Sequence, residues 1–567
     1  MEGKRFKSYG GLVAAIALGL ILRFWNLDLK PLWLDETITL IFATGHRYND
    51  IPTEILMPLT DLLGQITWQP QSCAAIAQAV NEQSTHPPLF FCLLHQWLGH
   101  WQHSAHSLRW QLRSLSALFG VGAIAAMYWL NRVAFSHRAG LMAAGLMAVS
   151  PFAVYLSQEA RHYTLPLLTI TLSLIPFVQI GLAQRPSRRV FGLGLAWVAL
   201  NSLGFYIHYF CLLAFIGQAI VLLAQGIRNR EGWRWGWILA GSLLFGLSLV
   251  PWLPYVWQHT QRSETDWLQF GGGGLLDWLG PIARLLAGAI VSVVMLPVEA
   301  QPLGWVVASG VVMLAIAALI ARFLWQRFPL LWQMPALRLL GGFLLVLWAE
   351  YLGLVYGLHK DLTLAFRYNF VFYPALCAVL AASFSLGDKG LPSRSRSRWL
   401  PWVVIAIGLV STGCVVTDLA FQKPFQPKPI AEQLLRPTSP QLVLLKAYQT
   451  GQDIALGLSE GFAVEQYRFQ VPQAPEAIQW GFMASKTPPA AETVMVLTHP
   501  LPSSFRLWSI GALHQPPSKA TAMTLRSRLG RPPSDMATCQ PAASAQNSMG
   551  VQYQPFQCQV ASLHGRG

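Results

Sequence analysis

Long apolar runs recur from the start of the chain to about residue 416, and most of the charge is confined to the gaps between them. A run of about 20 apolar residues can cross a bilayer as a helix, which satisfies its own backbone polar groups away from water. Only 11% of the residues are charged, against about 25% in soluble proteins. The expected fold is therefore mainly α, a polytopic helical membrane protein. A net charge of +15 would suggest a nucleic-acid partner in a soluble chain, but here Lys and Arg lie between the apolar runs. That is the positive-inside signature, so no nucleic-acid partner is expected.

Taken in order, Lys4, Arg5 and Lys7 precede a first apolar run from about Gly10 to Trp25, read as an uncleaved helix. Residues 26–110 then form a long first loop, in which Ile55–Trp68 and Pro88–Trp101 look like helices lying at the membrane interface. Later runs alternate with basic gaps. The segment 282–296 is read as re-entrant or interfacial, because a full span there would put Arg394, Arg396 and Arg398 on the opposite side. Roughly eleven spans result by the ~20-residue rule.

After about residue 417 proline, glutamine and serine become more frequent, and short strand-like runs appear at Gln441–Lys446 and Thr493–Leu497. Thr521–Arg528 reads as a short helix. The domain organisation is thus a membrane domain, 1–416, and a small extracytoplasmic α/β domain, 417–567. Cys539 and Cys558 could pair there, as could Cys73 and Cys92 in the first loop, whereas Cys211, Cys377 and Cys414 lie in apolar runs as packed thiols.

Within this framework, Leu32-Trp33-Leu34-Asp35-Glu36 puts two adjacent carboxylates among apolar residues just beyond the first span. Removing a carboxylate from water is costly, so such a pair calls for a partner, hydration or a function. Thr85-His86-Pro87-Pro88 and Ser157-Gln158-Glu159-Ala160-Arg161-His162-Tyr163 are the other two candidate segments. In the alternating topology Asp35, His86, Glu159, His208, His359, Lys360 and Arg367 all face the extracytoplasmic side. His86 could bind phosphate, ligate a divalent metal with Glu159, or cap an interfacial helix. Glu159 could pair with Arg161 or Arg113. Lys360 could be a solvated loop charge, and His208 an interfacial histidine with satisfied hydrogen bonds. Glu350, inside an apolar run, is flagged as an intramembrane carboxylate.

With Leu32–Glu36, Thr85–Phe90, Arg113–Phe119 and Ser150–Tyr163 in view, the chain resembles the GT-C glycosyltransferases. More specifically, it resembles the protein mannosyltransferase and aminoarabinose transferase superfamily, including its bacterial family 39-like members. His208-Tyr209, Arg367-Tyr368 and Pro427–Leu435 add weaker matching stretches. The resemblance implies transfer of a sugar, a hexose such as mannose, from a polyprenyl-phosphate donor to a lipid, glycan or protein acceptor, and one base opposite one stabilised leaving group predicts an inverting reaction. The location implied is the outer face of a bacterial plasma membrane. It implies Asp35 as general base with Glu36 in support, and a site role for Glu159. Arg161, Lys360 and Arg367 are candidates for the donor phosphate, and His86, Glu159, Tyr163 and His208 for substrate or metal. The aminoarabinose transferases carry a carboxylate just before the Pro-Pro pair, where this chain has Thr85-His86, a departure that bears on any metal site. The competing function is a transporter or flippase of lipid-linked sugars; such proteins put ionisable groups at span centres and often show two related halves. A non-catalytic scaffold whose soluble domain binds glycan is the third.

Overall fold

The computed structural model describes residues 2–386, 399–423, 426–436, 441–472, 474–485, 492–499, 501, 503–513, 523–527, 536–548 and 550–560. The Arg394–Arg398 cluster lies outside them. The chain divides into two compact units. The first comprises Met1–Leu29, Ser84–Leu93 and His106–Gln422, and the second Lys30–Gln83, Leu94–Ala105 and Lys423–Gly567.

The first unit is helical. Among the described residues seven of its helices are long and apolar enough to cross a membrane: Leu108–Ala134, Thr164–Leu182, Arg188–Ile207, Cys211–Arg228, Gly232–Thr260, Leu303–Trp332 and Pro335–Leu358. An eighth candidate is the pair His137–Val149 and Pro151–Ser157, bent by 58°. Tyr9–Phe24, Tyr373–Ser385 and Leu400–Val416 form apolar helices of fewer residues. Lipid gives helices no hydrophobic reason to associate, so small residues that allow close approach matter most. In His137–Val149, Gly140, Ala143, Ala144 and Ala148 are buried, and a Cβ at Gly140 would come within 2.8 Å of the Tyr128 carbonyl oxygen. Of the segment 282–296, read as re-entrant or interfacial, the part up to Val291 belongs to the helix Leu275–Val291, with Leu285 and Val291 buried and Leu275, Leu276 and Leu279 exposed.

The bend at residue 150 has a local cause. Pro151 cannot continue the preceding hydrogen-bond ladder, and Ser150 starts a new helix by accepting a hydrogen bond from the Ala153 amide at 3.1 Å. The carbonyls released by the break find side-chain donors. Arg23 donates to Met147 at 2.9 Å and to Ala148 at 3.2 Å, and Thr412 donates to Val149 at 2.9 Å. Arg23 is fully buried. Replacing it in Arg23→Met removes the charge but orphans those carbonyls. The expected loss is about 3 kcal/mol, read as a lower melting temperature in nanodiscs; an unchanged melting temperature would contradict the account.

The second unit is a sheet with helices on it. Its strands are β1 (Ile55–Pro58), β2 (Gln441–Tyr448), β3 (Ala477–Ala484), β4 (Glu492–Leu497), β5 (Ser504–Ile510), β6 (Met523–Ser527), β7 (Met536–Pro541), β8 (Gln546–Ser548) and β9 (Val551–Val560). Their order is β5-β2-β3-β1-β4-β6-β7-β9-β8, and a further β5–β9 pairing joins the sheet back on itself. Val443, Leu445, Met495, Phe505, Leu507, Leu525 and Phe556 fill one face. The disulfide Cys539–Cys558 links β7 to β9. Cys211, Cys377 and Cys414 are free thiols, the first two buried.

Two segments of this unit differ from what their sequence suggests. Ile55–Trp68 is not an interfacial helix: Ile55–Pro58 is β1, paired with β3 and β4, followed by the short helix Leu59–Gly64. Of Thr521–Arg528, read as a helix, the described residues Met523–Ser527 form a strand that pairs with both β4 and β7. In each case strand pairing across the sheet overrides local preference.

Candidate functional site

The bend at Ser150-Pro151 has a consequence a few residues on. Helix Pro151–Ser157 ends and residues 158–163 turn before helix Thr164–Leu182 begins, so Glu159, Arg161, His162 and Tyr163 sit on one tight turn, all buried. The Ser116 hydroxyl pins that turn by donating to the Arg161 carbonyl at 2.9 Å. His208 ends helix Arg188–Ile207, its amide donating to the Gly204 carbonyl at 2.9 Å. His86 lies on the segment stiffened by Pro87 and Pro88.

These segments bring three histidines together. The His162 ring centroid lies 4.9 Å from that of His86 and 4.7 Å from that of His208, and His86 and His208 are 6.3 Å apart. An Arg161 Nη2 donates to His86 Nε2 at 3.2 Å. Guanidinium nitrogens only donate, so His86 Nε2 carries no proton, and His86 Nδ1 donates to the Ser84 hydroxyl oxygen at 3.1 Å. His208 Nδ1 accepts from the Phe210 amide at 3.1 Å. His162 is fully buried, and neither of its ring nitrogens has a hydrogen-bond partner among the described residues.

Burial, then the charges of Arg161 and Arg367, push His208 down to about 3. Burial likewise holds His86 and His162 well below the usual histidine range, reinforced by Arg161 for His86 and by His208 and Arg161 for His162. All three are neutral at pH 7. Above pH ~6.5 folded and unfolded states both carry neutral histidine; below it the unfolded chain binds protons that the folded one does not. Stability should therefore fall with pH below ~6.5, by about 2 kcal/mol at pH 5 for His208 alone. Melting curves from pH 7.5 to 5 check this, and a flat profile would contradict it.

Aromatic rings wall the cluster. Tyr163 lies 5.9 Å from His208 and 6.4 Å from Tyr368, and Phe370 lies 5.0 Å from His208. The Arg367 guanidinium lies over Trp267 and Tyr368, at 5.7 and 5.5 Å from their ring centroids. Tyr351 fixes the Tyr368 backbone, its hydroxyl donating to that carbonyl at 2.7 Å. His86, Glu159, Arg161, Tyr163, His208, Arg367 and Tyr368 all belong to this one unit. Lys360 is in the same unit but 40% exposed, its ammonium 4.0 Å from Asp266. Both carboxylate oxygens of Glu350, on helix Pro335–Leu358, are buried without a hydrogen-bond partner among the described residues. Among the described residues no three of His, Cys, Asp and Glu converge on a point that could hold a metal ion, so His86 and Glu159 carry no metal step below.

Asp35 and Glu36 belong to the second unit, in the first turn of helix Leu34–Ala43, where the helix dipole favours negative charge. The Ser459 hydroxyl anchors the approach by donating to the Leu32 carbonyl at 2.7 Å, and the Lys423 ammonium lies 4.7 Å from the Trp33 ring centroid. Glu36 is buried, at 1% exposure, while Asp35 is half-buried. Of the two carboxylates, Asp35 is the accessible one.

Residues 85–255 match the model of the dolichyl-phosphate-mannose-protein mannosyltransferase family. The whole chain superposes on ArnT from Cupriavidus metallidurans bound to undecaprenyl phosphate, with a TM-score of 0.51 at 13% identity, covering 99% of this chain and 100% of that one. The fold is that of this ArnT. The apo form of the same ArnT gives a TM-score of 0.50 over the same extents. The archaeal oligosaccharyltransferase AglB from Archaeoglobus fulgidus, in complex with an inhibitory peptide and a dolichol-phosphate, is similar at 14% identity. That match covers 76% of this chain and 58% of that one, with a TM-score of 0.41. No curated protein sequence matches. The family match begins at Thr85, the residue before His86, and so contains the whole Glu159–Tyr163 turn and His208.

Sequence alone gives His162 no role of its own within the Ser157–Tyr163 stretch. Its signal was its place between Arg161 and Tyr163; its burial between two other histidines depends on segments far apart in the chain.

Proposed function

We propose that the protein is an inverting glycosyltransferase of a bacterial plasma membrane. It would move a sugar, a hexose such as mannose, from a polyprenyl-phosphate donor to a lipid, glycan or protein acceptor on the extracytoplasmic side. The observation that carries this reading is the buried Arg161 on the 158–163 turn, beside three neutral histidines and an aromatic wall that also engages Arg367. A leaving lipid phosphate is already a stable anion, so it needs hydrogen-bond donors and positive charge more than a strong acid. Arg161 and Arg367 would supply both, each able to grip two phosphate oxygens. Tyr163 and Tyr368 offer ring faces and hydroxyls to the sugar.

Asp35 would take the proton of the acceptor hydroxyl as that oxygen attacks the anomeric carbon. The bond from that carbon to the phosphate oxygen breaks, its electron pair staying with the phosphate. A single displacement of one stabilised leaving group by one base-activated hydroxyl inverts the configuration at the sugar carbon. Glu36, buried in the same helical turn, would support the geometry of Asp35. Binding is tested by offering the nanodisc protein polyprenyl phosphate and, separately, the corresponding polyprenol. Saturable binding of the phosphate alone is expected; equal binding of both would contradict a phosphate site.

A further inference from the structure

The three histidines do more than line a pocket. His86 accepts a hydrogen bond from Arg161, so it can gain a proton on Nε2 only when Arg161 turns away. A phosphate gripped by Arg161 would turn it away. His162, fully buried beside it, has two ring nitrogens with no hydrogen-bond partner among the described residues. Unpaired buried nitrogens of this kind are costly unless something visits them.

We propose that the His86–His162–His208 cluster takes up one proton when a phosphate monoester dianion occupies the site, so that it binds the departing polyprenyl phosphate in proton-coupled fashion and the sugar-bearing donor without a proton. This rests on the phosphate-site reading above. The donor is a phosphodiester with one negative charge. When the bond from the anomeric carbon to the phosphate oxygen breaks, the electron pair stays on the phosphate, which then carries two charges. The acceptor hydroxyl gives up its proton to Asp35, which passes it to water, while the cluster takes one proton from water. No net proton is therefore released until the lipid phosphate leaves and the cluster gives its proton back.

The surroundings fit a cluster that is neutral when empty and cationic when filled. Arg161 and Arg367 oppose protonation of all three rings, and His259 adds to them at His86. His259 is itself hydrogen-bonded through Nδ1 to the Tyr209 hydroxyl at 2.8 Å. Arg262 donates to the Ser84 carbonyl beneath His86. Glu159 is the acidic group on the same turn, with Tyr163 and Tyr368 as the facing phenols. A dianion would offset both guanidinium charges and lift the opposition to a proton. Histidine is the side chain whose charge responds near neutral pH to such a change.

The test is titration calorimetry of the nanodisc protein at pH 7.5, in two buffers of different ionisation enthalpy. The probes are geranyl phosphate, its methyl diester and inorganic phosphate. At that pH an alkyl phosphate is already mostly a dianion, its second pKa being about 6, so proton uptake reports the protein. Geranyl phosphate should bind with uptake of about one proton and lose up to about tenfold in affinity per pH unit above pH 7.5. The diester should bind with none. In His162→Gln the uptake should fall by at least half while diester binding persists. Both esters binding without uptake, or unchanged uptake in His162→Gln, would overturn this inference and leave the phosphate site standing. Neither ester binding would overturn both. Geranyl phosphate binding at least tenfold tighter than inorganic phosphate supports the lipid headgroup as ligand; equal affinity overturns that assignment.

Discussion

Asp35→Asn should lower turnover by about 10²- to 10⁴-fold, the usual contribution of a positioned general base, while leaving donor affinity within a factor of a few. The substitution keeps size and hydrogen-bonding capacity but not basicity. Asp35 is half-buried at the start of helix Leu34–Ala43, and Asn matches it in shape. Folding should therefore survive. Glu36→Gln provides the contrast. Glu36 is buried, so its loss should lower the melting temperature as well as the rate. If Asp35→Asn turned over at the wild-type rate, the base would have to be sought elsewhere.

The second large effect is expected at Arg161. Arg161→Gln removes the guanidinium that donates to His86 and leaves a neutral amide in its place. Loss of one charged donor to a developing oxyanion costs about 10²- to 10³-fold in rate, and donor affinity should weaken as well, because the phosphate is bound before reaction. Arg161→Lys should restore charge but not the two-pronged grip, recovering only part of the loss. Purified variants compared for donor binding and single-turnover rate separate the two contributions. Arg161→Gln with unchanged donor affinity would argue against a phosphate contact.

Much of this molecule was legible in the sequence, for identifiable reasons. The apolar runs specified spanning helices because length and hydropathy are local properties. Ser150-Pro151 marked a break because proline constrains its own turn of chain. Cys539 and Cys558 were open to pairing in sequence, and it is the register of β7 against β9 that joins them. What was hidden depended on partners distant in the chain. The apolar stretch after Ile55 could have been helix or strand. It became β1 because β3 and β4, which begin at Ala477 and Glu492, receive it. Met523–Ser527 likewise became a strand between two neighbours. In the site, Arg161 and Tyr163 were readable from their motif, but His162 gains its meaning only from His86 and His208, which approach it from other loops. Lys360 shows only its charge in sequence, and its exposure beside Asp266 reflects loop packing that no motif encodes.

The most direct test of the central claim is transfer itself. Wild-type protein in lipid nanodiscs would be given radiolabelled polyprenyl-phosphate hexoses with membrane extract as acceptor, alongside Asp35→Asn. Label appearing in the acceptor fraction with wild type, matched by release of polyprenyl phosphate and absent with Asp35→Asn, is the predicted result. Donor that binds and crosses the bilayer with its sugar–phosphate bond intact would contradict the claim and identify a flippase.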